Sequence, residues 1–307
     1  MKLLKELTAI RGVSSDESTI ASFIVNYCKK NGKNWKVQPT IIFEEKFQDC
    51  VILVFGTPRT AIYAHTDTIG YSVAYNNKLI KVGGPKIEDG ISLVGSDSNG
   101  EFTAETHLFE NINGHNDLHF VCDRDVDRGT LLSYAPNFKE TEVYVQSPYL
   151  DNRLGVWNAL KVAETLENGA IVFSTYEEHG GNSVDFCAKY LFDTFGVRQA
   201  LISDITWVTD GVKHGGGVAI SARDSCLPRR KYLNKIISLA MKHNIPFQLE
   251  VESAGGSDGG VLQKGGNLID WCFIGAPEDH VHSPKELVYK SDIESMLAMY
   301  QLLMKEL

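Results

Sequence analysis

Histidines and carboxylates recur at one kind of place in this sequence, directly after a short apolar run. AIYA (61–64) is followed by His65 and Asp67, VYVQSPYL (143–150) by Asp151, and AIVFSTY (170–176) by Glu177 and Glu178. ALIS (200–203) is followed by Asp204, and LIDWCFIGAPEDHV (268–281) by His282. Imidazoles and carboxylates without a thiolate suit borderline cations, so the set points to Zn²⁺, Co²⁺ or Mn²⁺. Asp67, at i+2 from His65, lies on the same side of an extended chain, where a carboxylate can orient the imidazole. Asp151 and Asp204, taken singly, also suit helix N-caps or turns. The adjacent carboxylates Glu177 and Glu178 repel each other unless cations are near, and they point different ways. One can therefore ligate while the other acts on water as a general base. Of His280 and His282, in a loop ending at Pro284, at most one need be a ligand.

The elements that must position these groups follow from periodicity. Ser14 and Glu17 form a capping-box pair ahead of Ile20, Phe23, Ile24, Tyr27 and Cys28 at helical spacing, and Gly32 stops that helix. VILVF (51–55) and AIYA read as buried strands joined by a turn. From Tyr71 to about Ser147 no amphipathic helix is apparent, and Asn76-Asn77, Asn99-Gly100 and Asn113-Gly114 punctuate short alternating runs such as FTAETHLF and LHFVCD. Helix-strand alternation then resumes, with helices expected from near Asn152, through Phe186–Leu191, from Pro228, and from Ser291 with Glu294 as its capping box. The pattern predicts an α/β fold, an open central sheet flanked by helices, with an all-β segment inserted into it. The α/β unit is discontinuous, residues 1–70 and 148–307, and the insert is 71–147. Because ligands bind beyond the carboxyl ends of strands in such sheets, all the groups named above fall at one edge.

Composition narrows the partners. The 307 residues carry 30 Lys+Arg against 39 Asp+Glu, a net charge of −9, so nucleic acid and anionic membrane would meet repulsion. The six cysteines contain no C-x-x-C, and the N-terminus breaks any apolar stretch with Lys5, Glu6 and Arg11. With no membrane-length apolar run, a reduced cytoplasmic protein is expected, its cysteines acting as small buried hydrophobes.

AHTDTIG (64–70), LDNRLG (150–155), TYEEHG (175–180), ISDIT (202–206), GGSDGG (255–260) and VHSPKE (281–286), in this order, resemble the motif set of the glutamyl-aminopeptidase and deblocking family of tetrahedral metallo-aminopeptidases, related to the wider zinc exopeptidases. The resemblance spans roughly residues 60 to 300. It implies a mixed central sheet flanked by helices, with a PDZ-like or small-barrel apical domain in the place of the β-rich insert. It further implies two divalent metal ions per chain. His65, Asp151 and Asp204 would be ligands with Asp151 bridging, Glu178 and His282 would complete the other shell, Glu177 would be the general base, and Asp67 would orient His65. Peptide substrates losing one N-terminal residue at a time, and a homo-oligomer from dimer up to dodecamer, are implied as well. Thr68, His179-Gly180-Gly181-Asn182 and Ser257 depart from the family pattern, which removes no ligand but leaves the preferred N-terminal residue open.

Three other readings compete. Gly255-Gly256-Ser257-Asp258-Gly259 matches the G-x-S-x-G of a serine hydrolase, with Asp270 or Asp279 and then His280 or His282 downstream. The run before it, FQLEVES, reads as half-exposed rather than as the buried strand a nucleophile elbow needs. A glycosidase built on Glu177 and Glu178 would need its carboxyls about 5–10 Å apart across a sugar, which sequence neighbours supply badly. A non-catalytic binding or scaffold member of the same fold would be expected to have lost at least one of these groups. Lys213, His214 and Gly215–Gly217 suit either a cleft wall or a plain turn, and Arg229 and Arg230 read as solvated charges at a helix start.

Overall fold

The structure is a computed structural model that describes residues 1–110 and 116–307. It opens with α1 (Lys2–Thr8), α2 (Ser18–Asn31), β1 (Thr40–Ile42), β2 (Val51–Phe55) and β3 (Thr60–His65). A run of strands follows: β4 (Gly70–Val73), β5 (Leu79–Val82), β6 (Ser92–Asp97), β7 (Gly100–Glu110), β8 (Asn116–Val121) and β9 (Leu131–Tyr134). Next come β10 (Lys139–Glu140), β11 (Tyr144–Gln146), α3 (Leu150–Ala163), β12 (Gly169–Ser174), α4 (Ser183–Phe195), β13 (Gln199–Trp207) and β14 (Val218–Arg223). The chain ends with α5 (Arg230–Lys242), β15 (Phe247–Val251), α6 (Asp258–Lys264), β16 (Asp270–Asp279), β17 (Leu287–Tyr289) and α7 (Lys290–Glu306). No helix among the described residues is long and apolar enough to cross a membrane.

The fold is mixed α/β. An 11-stranded mixed sheet runs β1-β2-β12-β3-β13-β16-β17-β11-β10, with β14 pairing β16 and β15. Its central strands β12, β3, β13 and β16 are mutually parallel, so their carboxyl ends open on one edge. The unbroken apolar runs are explained by burial on both faces. Val51, Leu53, Phe55, Ile62, Ala64, Ile171 and Phe173 face the core shared with α1, α2, α3, α5 and α7. Their alternating neighbours Ile52, Val54, Ala61, Tyr63, Ala170 and Val172 face the core shared with α4 and α6.

The second sheet has six strands in the order β5-β4-β9-β6-β7-β8, and a bridge from Lys78 to His119 brings its two edges close to closure. Its own core holds Ile69, Tyr71, Leu93, Phe120, Leu132 and Tyr134. Two of the expected turns lie where they were placed. Asn76 and Asn77, at φ 57° and 56°, join β4 to β5, and Asn99-Gly100 joins β6 to β7. Asn113-Gly114 lies outside the described residues. The stretch 139–146 pairs with the larger sheet through β17 rather than with the six-stranded one.

Several helix starts differ from the sequence pattern. Glu17, not Ser14, precedes α2, and no side chain caps that end. Ser14 and Glu17 are instead drawn inward to partners on other elements, described below. At α7 the preceding residue is Tyr289, so Ser291 and Glu294 lie inside the helix. The helices expected near Asn152 and Pro228 begin at Leu150 and Arg230. Arg153, fully buried on α3, donates from Nε to the Leu7 carbonyl (3.1 Å), from Nη2 to the Ile10 carbonyl (3.0 Å) and from Nη1 to that of Thr66. It thereby ties α1 to the exit of β3, and truncating it would orphan the buried Leu7 and Thr66 carbonyls at about 1–3 kcal/mol each.

Candidate metal centre

The sheet edge gathers His65, Asp67, Asp151, Glu177, Glu178, Asp204 and His282. His65 closes β3, Asp151 opens α3, Glu177 and Glu178 follow β12, Asp204 lies in β13, and His282 follows β16. His65, Asp151 and Asp204 form one group whose donor atoms all lie within 4.8 Å of one another, and Asp151, Glu178 and His282 form a second. Asp151 belongs to both. Its Oδ1 lies 3.3 Å from His65 Nε2 and its Oδ2 3.4 Å from His282 Nε2. Asp204 Oδ2 is 3.6 Å from His65 Nε2, and Glu178 Oε2 is 3.2 Å from His282 Nε2.

These spacings can be set against those of an ion-pair network and of a cation cradle. A charge-assisted N–H···O bond closes to about 2.7–2.9 Å. Two donors on one tetrahedral ion at about 2.0–2.1 Å sit roughly 3.3 Å apart. The observed separations match the second figure. Glu178 Oε1 is also buried without a hydrogen-bond partner among the described residues, so the donor set has acceptor capacity to spare for a cation. Imidazole and carboxylate donors with one shared carboxylate fit a borderline divalent metal.

The groups around the donors hold them in place. Asp67, fully buried, accepts from the Glu177 amide on Oδ1 (3.0 Å), and on Oδ2 from the Glu178 amide (3.0 Å) and Ser14 Oγ (2.7 Å). Its Oδ1 is 3.4 Å from His65 Nδ1, and its backbone oxygen is 3.2 Å from the same nitrogen. Glu17 accepts from the Tyr176 amide at 3.1 Å. Tyr149, Tyr176 and His282 all take left-handed φ, 67°, 64° and 63°, beside Asp151, Glu177 and the His282 imidazole itself. Such conformations persist where surrounding contacts over-determine them, typically at functional sites.

Electrostatics express the crowding of acid. Burial pushes the Glu177 carboxyl well above its ordinary pKa, and Asp258, Asp204 and Glu178 add to this against the pull of His65. Burial and Asp151 raise Glu178 to about 7. For His65, burial alone would lower the pKa, yet Asp204, Asp151 and Asp67 together hold it well above the usual value. His282 is likewise raised to about 11, because Asp151 and Glu178 outweigh its burial. Glu177 lines the same cavity as both donor groups.

Sequence similarity agrees with this geometry. Residues 116–299 match the M42 glutamyl aminopeptidase family. The chain belongs to the M42 family. It is thus a peptidase, and its family is metal-dependent. A protein of Acetivibrio thermocellus named as an aminopeptidase is 28% identical, with 97% of this chain and 96% of that protein covered. Among solved structures, the aminopeptidase APDkam598 of Desulfurococcus kamchatkensis matches with a TM-score of 0.87 at 20% identity, covering 100% of this chain and 94% of that one. The TET1 peptidase of Pyrococcus horikoshii matches with a TM-score of 0.82 at 23% identity, covering 100% and 99%. These two show the shared fold.

Against this M42 background the sequence reading missed several residues. Glu286 is fully buried and accepts from the Asp151 amide (3.2 Å) and the His282 amide (3.0 Å), bracing both ends of the second donor group. Its place after Lys285 resembles ordinary surface charge, so only the fold reveals it. Asp258 accepts from Ser174 Oγ (2.7 Å) behind Glu177, and burial raises it to about 7. Gly84, from the loop after β5, sets its carbonyl 3.2 Å from His282 Nδ1, and a Cβ there would come within 3.0 Å of that nitrogen.

Other sequence candidates resolve simply. Ser257 caps α6, its Oγ accepting from the Gly259 amide at 3.2 Å, while His282 Nε2 faces Asp151 and Glu178. The serine-hydrolase arrangement is therefore not assembled. His280 belongs to neither donor group. Gly215 and Gly217 donate their amides to Asp292 on α7, which makes 213–217 a tethered turn outside the cavity wall. Arg229 pairs with Asp270 at 3.1 Å, and Arg230 opens α5.

Proposed function

We propose that this chain is a dinuclear metal-dependent aminopeptidase that releases N-terminal residues from peptides. The observation that carries the reading is the Asp151 carboxylate, with one oxygen toward each imidazole at matched distances of 3.3 and 3.4 Å. His65, Asp151 and Asp204 would hold one divalent cation and Asp151, Glu178 and His282 a second, Zn²⁺ first and Co²⁺ or Mn²⁺ next, supplying Lewis-acid polarisation of the scissile carbonyl and a more acidic water. Glu177 would take the proton from the attacking water and return it to the leaving amine, a role favoured by its raised pKa. Asp67 would fix the imidazole of His65 and, through the Glu177 amide, the position of the base.

The α/β unit, residues 1–70 and 148–307, would be the catalytic domain. The insert 71–147, with the nearly closed six-stranded sheet as its body, would be an apical domain. The P. horikoshii TET1 peptidase is described as able to assemble into a tetrahedron or a large octahedral shell, and a homo-oligomer is the corresponding expectation here. A cytoplasmic location is part of the same reading.

Metal analysis together with aminoacyl-amide hydrolysis tests it. Two equivalents of Zn²⁺, Co²⁺ or Mn²⁺ per chain and chelator-sensitive hydrolysis are expected. Metal-independent hydrolysis abolished by Ser257→Ala would establish a serine enzyme instead.

A further inference from the structure

The cavity that opens on the metal centre holds about 250 Å³. That is room for one long side chain, since a dry pocket of about 150 Å³ already takes a benzene ring. Its wall continues outward from Asp204 along Ile205, Thr206 and Trp207, so whatever fills it is continuous with the reacting centre. Beyond the donor groups and Glu177, the wall carries three more carboxylates, Asp224, Glu250 and Glu252, and no lysine or arginine among the described residues. They come from the ends of two neighbouring strands, where β14 and β15 run parallel with Arg223 opposite Val251. Asp224 and Glu250 are both buried. Arg223, the nearest cation in sequence, points its guanidinium at the backbone carbonyl of Glu252 and is not part of the wall.

The charge of the same cavity points to a cationic guest. Glu178, whose side chain is only 5% exposed, lines the wall and keeps Oε1 without a partner. That oxygen serves the donor set, and the cationic guest is called for by the carboxylates beyond it. The metal cluster would balance the charge of Asp151, Asp204 and Glu178, whereas of the outer carboxylates Asp224 has Arg223 nearby and Glu250 and Glu252 line the cavity with no cation in its wall. Covering these carboxylates with an apolar or acidic side chain costs more than meeting an ammonium or guanidinium there. Trp207 and Phe273 supply apolar wall for the methylene stem of such a side chain.

We infer that the cavity receives the side chain of the substrate's N-terminal residue and that Asp224, Glu250 and Glu252 select a cationic one, lysine or arginine. The inference rests on the aminopeptidase reading above and specifies its substrate class. Asp224 and Glu252 meet the cationic tip. Glu250, which accepts from Thr206 Oγ1, sets the negative potential of the floor.

The test compares lysyl with norleucyl, and arginyl with citrullinyl, 4-nitroanilides, pairs of similar length that differ in charge. The metal-loaded full chain should favour the charged member of each pair by at least ~10-fold in kcat/KM, mainly through KM, with glutamyl amide poorest. Glu252→Gln and Asp224→Asn should each move the lysyl-to-norleucyl ratio toward one. As a readout independent of turnover, free L-lysine should raise the melting temperature more than L-norleucine at equal concentration. Hydrolysis with no preference within the pairs, or ratios unmoved in both variants, overturns the charge selection and leaves the aminopeptidase standing. Failure to hydrolyse any of these amides overturns the aminopeptidase reading and this one with it.

Discussion

His65 and His282 approach the same carboxylate from opposite sides, yet they are held in opposite ways. The His65 side chain is 2% exposed at the end of a central strand, and its partners come from the α/β unit. Asp67, which orients it, is itself locked by Ser14 and by the amides of Glu177 and Glu178. The His282 side chain is 29% exposed on a loop with left-handed φ, and its Nδ1 leans on the Gly84 carbonyl from the loop between β5 and β6. The Lys86 amide, in that same loop, bonds the His282 carbonyl at 2.9 Å. One half of the centre is thus made within a single buried network, and the other is assembled where the two sheets meet. The difference teaches that the loop between β5 and β6 reaches the candidate site. It braces one imidazole, so two cations held as proposed should not be equivalent.

The largest expected effect belongs to the proposed general base, which lines the cavity beside both halves. Glu177→Gln should lower kcat by about 10²- to 10⁴-fold while both metal equivalents remain. Full activity in a metal-replete Glu177→Gln enzyme would remove the base from that position. Next, Asp67→Asn should weaken metal binding at the His65 half by about 10- to 100-fold, read by competition with a chromogenic chelator. An equal loss from both halves would show that they are coupled through Asp151 rather than separately organised.

Partial chelation should strip the more exposed His282 half first, leaving a plateau near one equivalent per chain before the second ion leaves. A single smooth loss of both ions would break the comparison. The smallest effect is expected from Gly84→Ala, whose Cβ would crowd His282 Nδ1 at 3.0 Å. It should reduce affinity at that half by up to about tenfold and leave the His65 half unchanged. If Gly84→Ala leaves metal binding intact at both halves, the insert is not a brace.

Much of the site could be read from residue type and place. Apolar runs ahead of His65, Asp151, Glu178 and His282 announce strand ends, and parallel strands bring such ends to one edge, whereas Asp204 lies inside β13, which runs on to Trp207. The inserted β character of the middle of the chain was equally readable, because Asn76-Asn77 and Asn99-Gly100 are strong turn signals. Where local signals misled, a distant partner outcompeted them. Ser14 and Glu17 have capping-box spacing, but the Ser14 hydroxyl does more against the buried Asp67 carboxylate than at an exposed helix end. Ser257 lies in a nucleophile-elbow pattern, but its hydroxyl is engaged by the amide at the start of α6.

The amino-acid sequence by itself determined the chemistry available to this protein, an acidic and imidazole donor set without thiolates on an α/β frame, because side-chain type and hydrophobic period are local properties. Only the tertiary structure decided that Asp151 divides its two oxygens between two histidines, that Glu286 and Gly84 hold His282, and that Asp224, Glu250 and Glu252 line the adjoining cavity. Those relations join residues tens to hundreds of positions apart, and distance along the chain carries no information about them until strand pairing and burial fix the register.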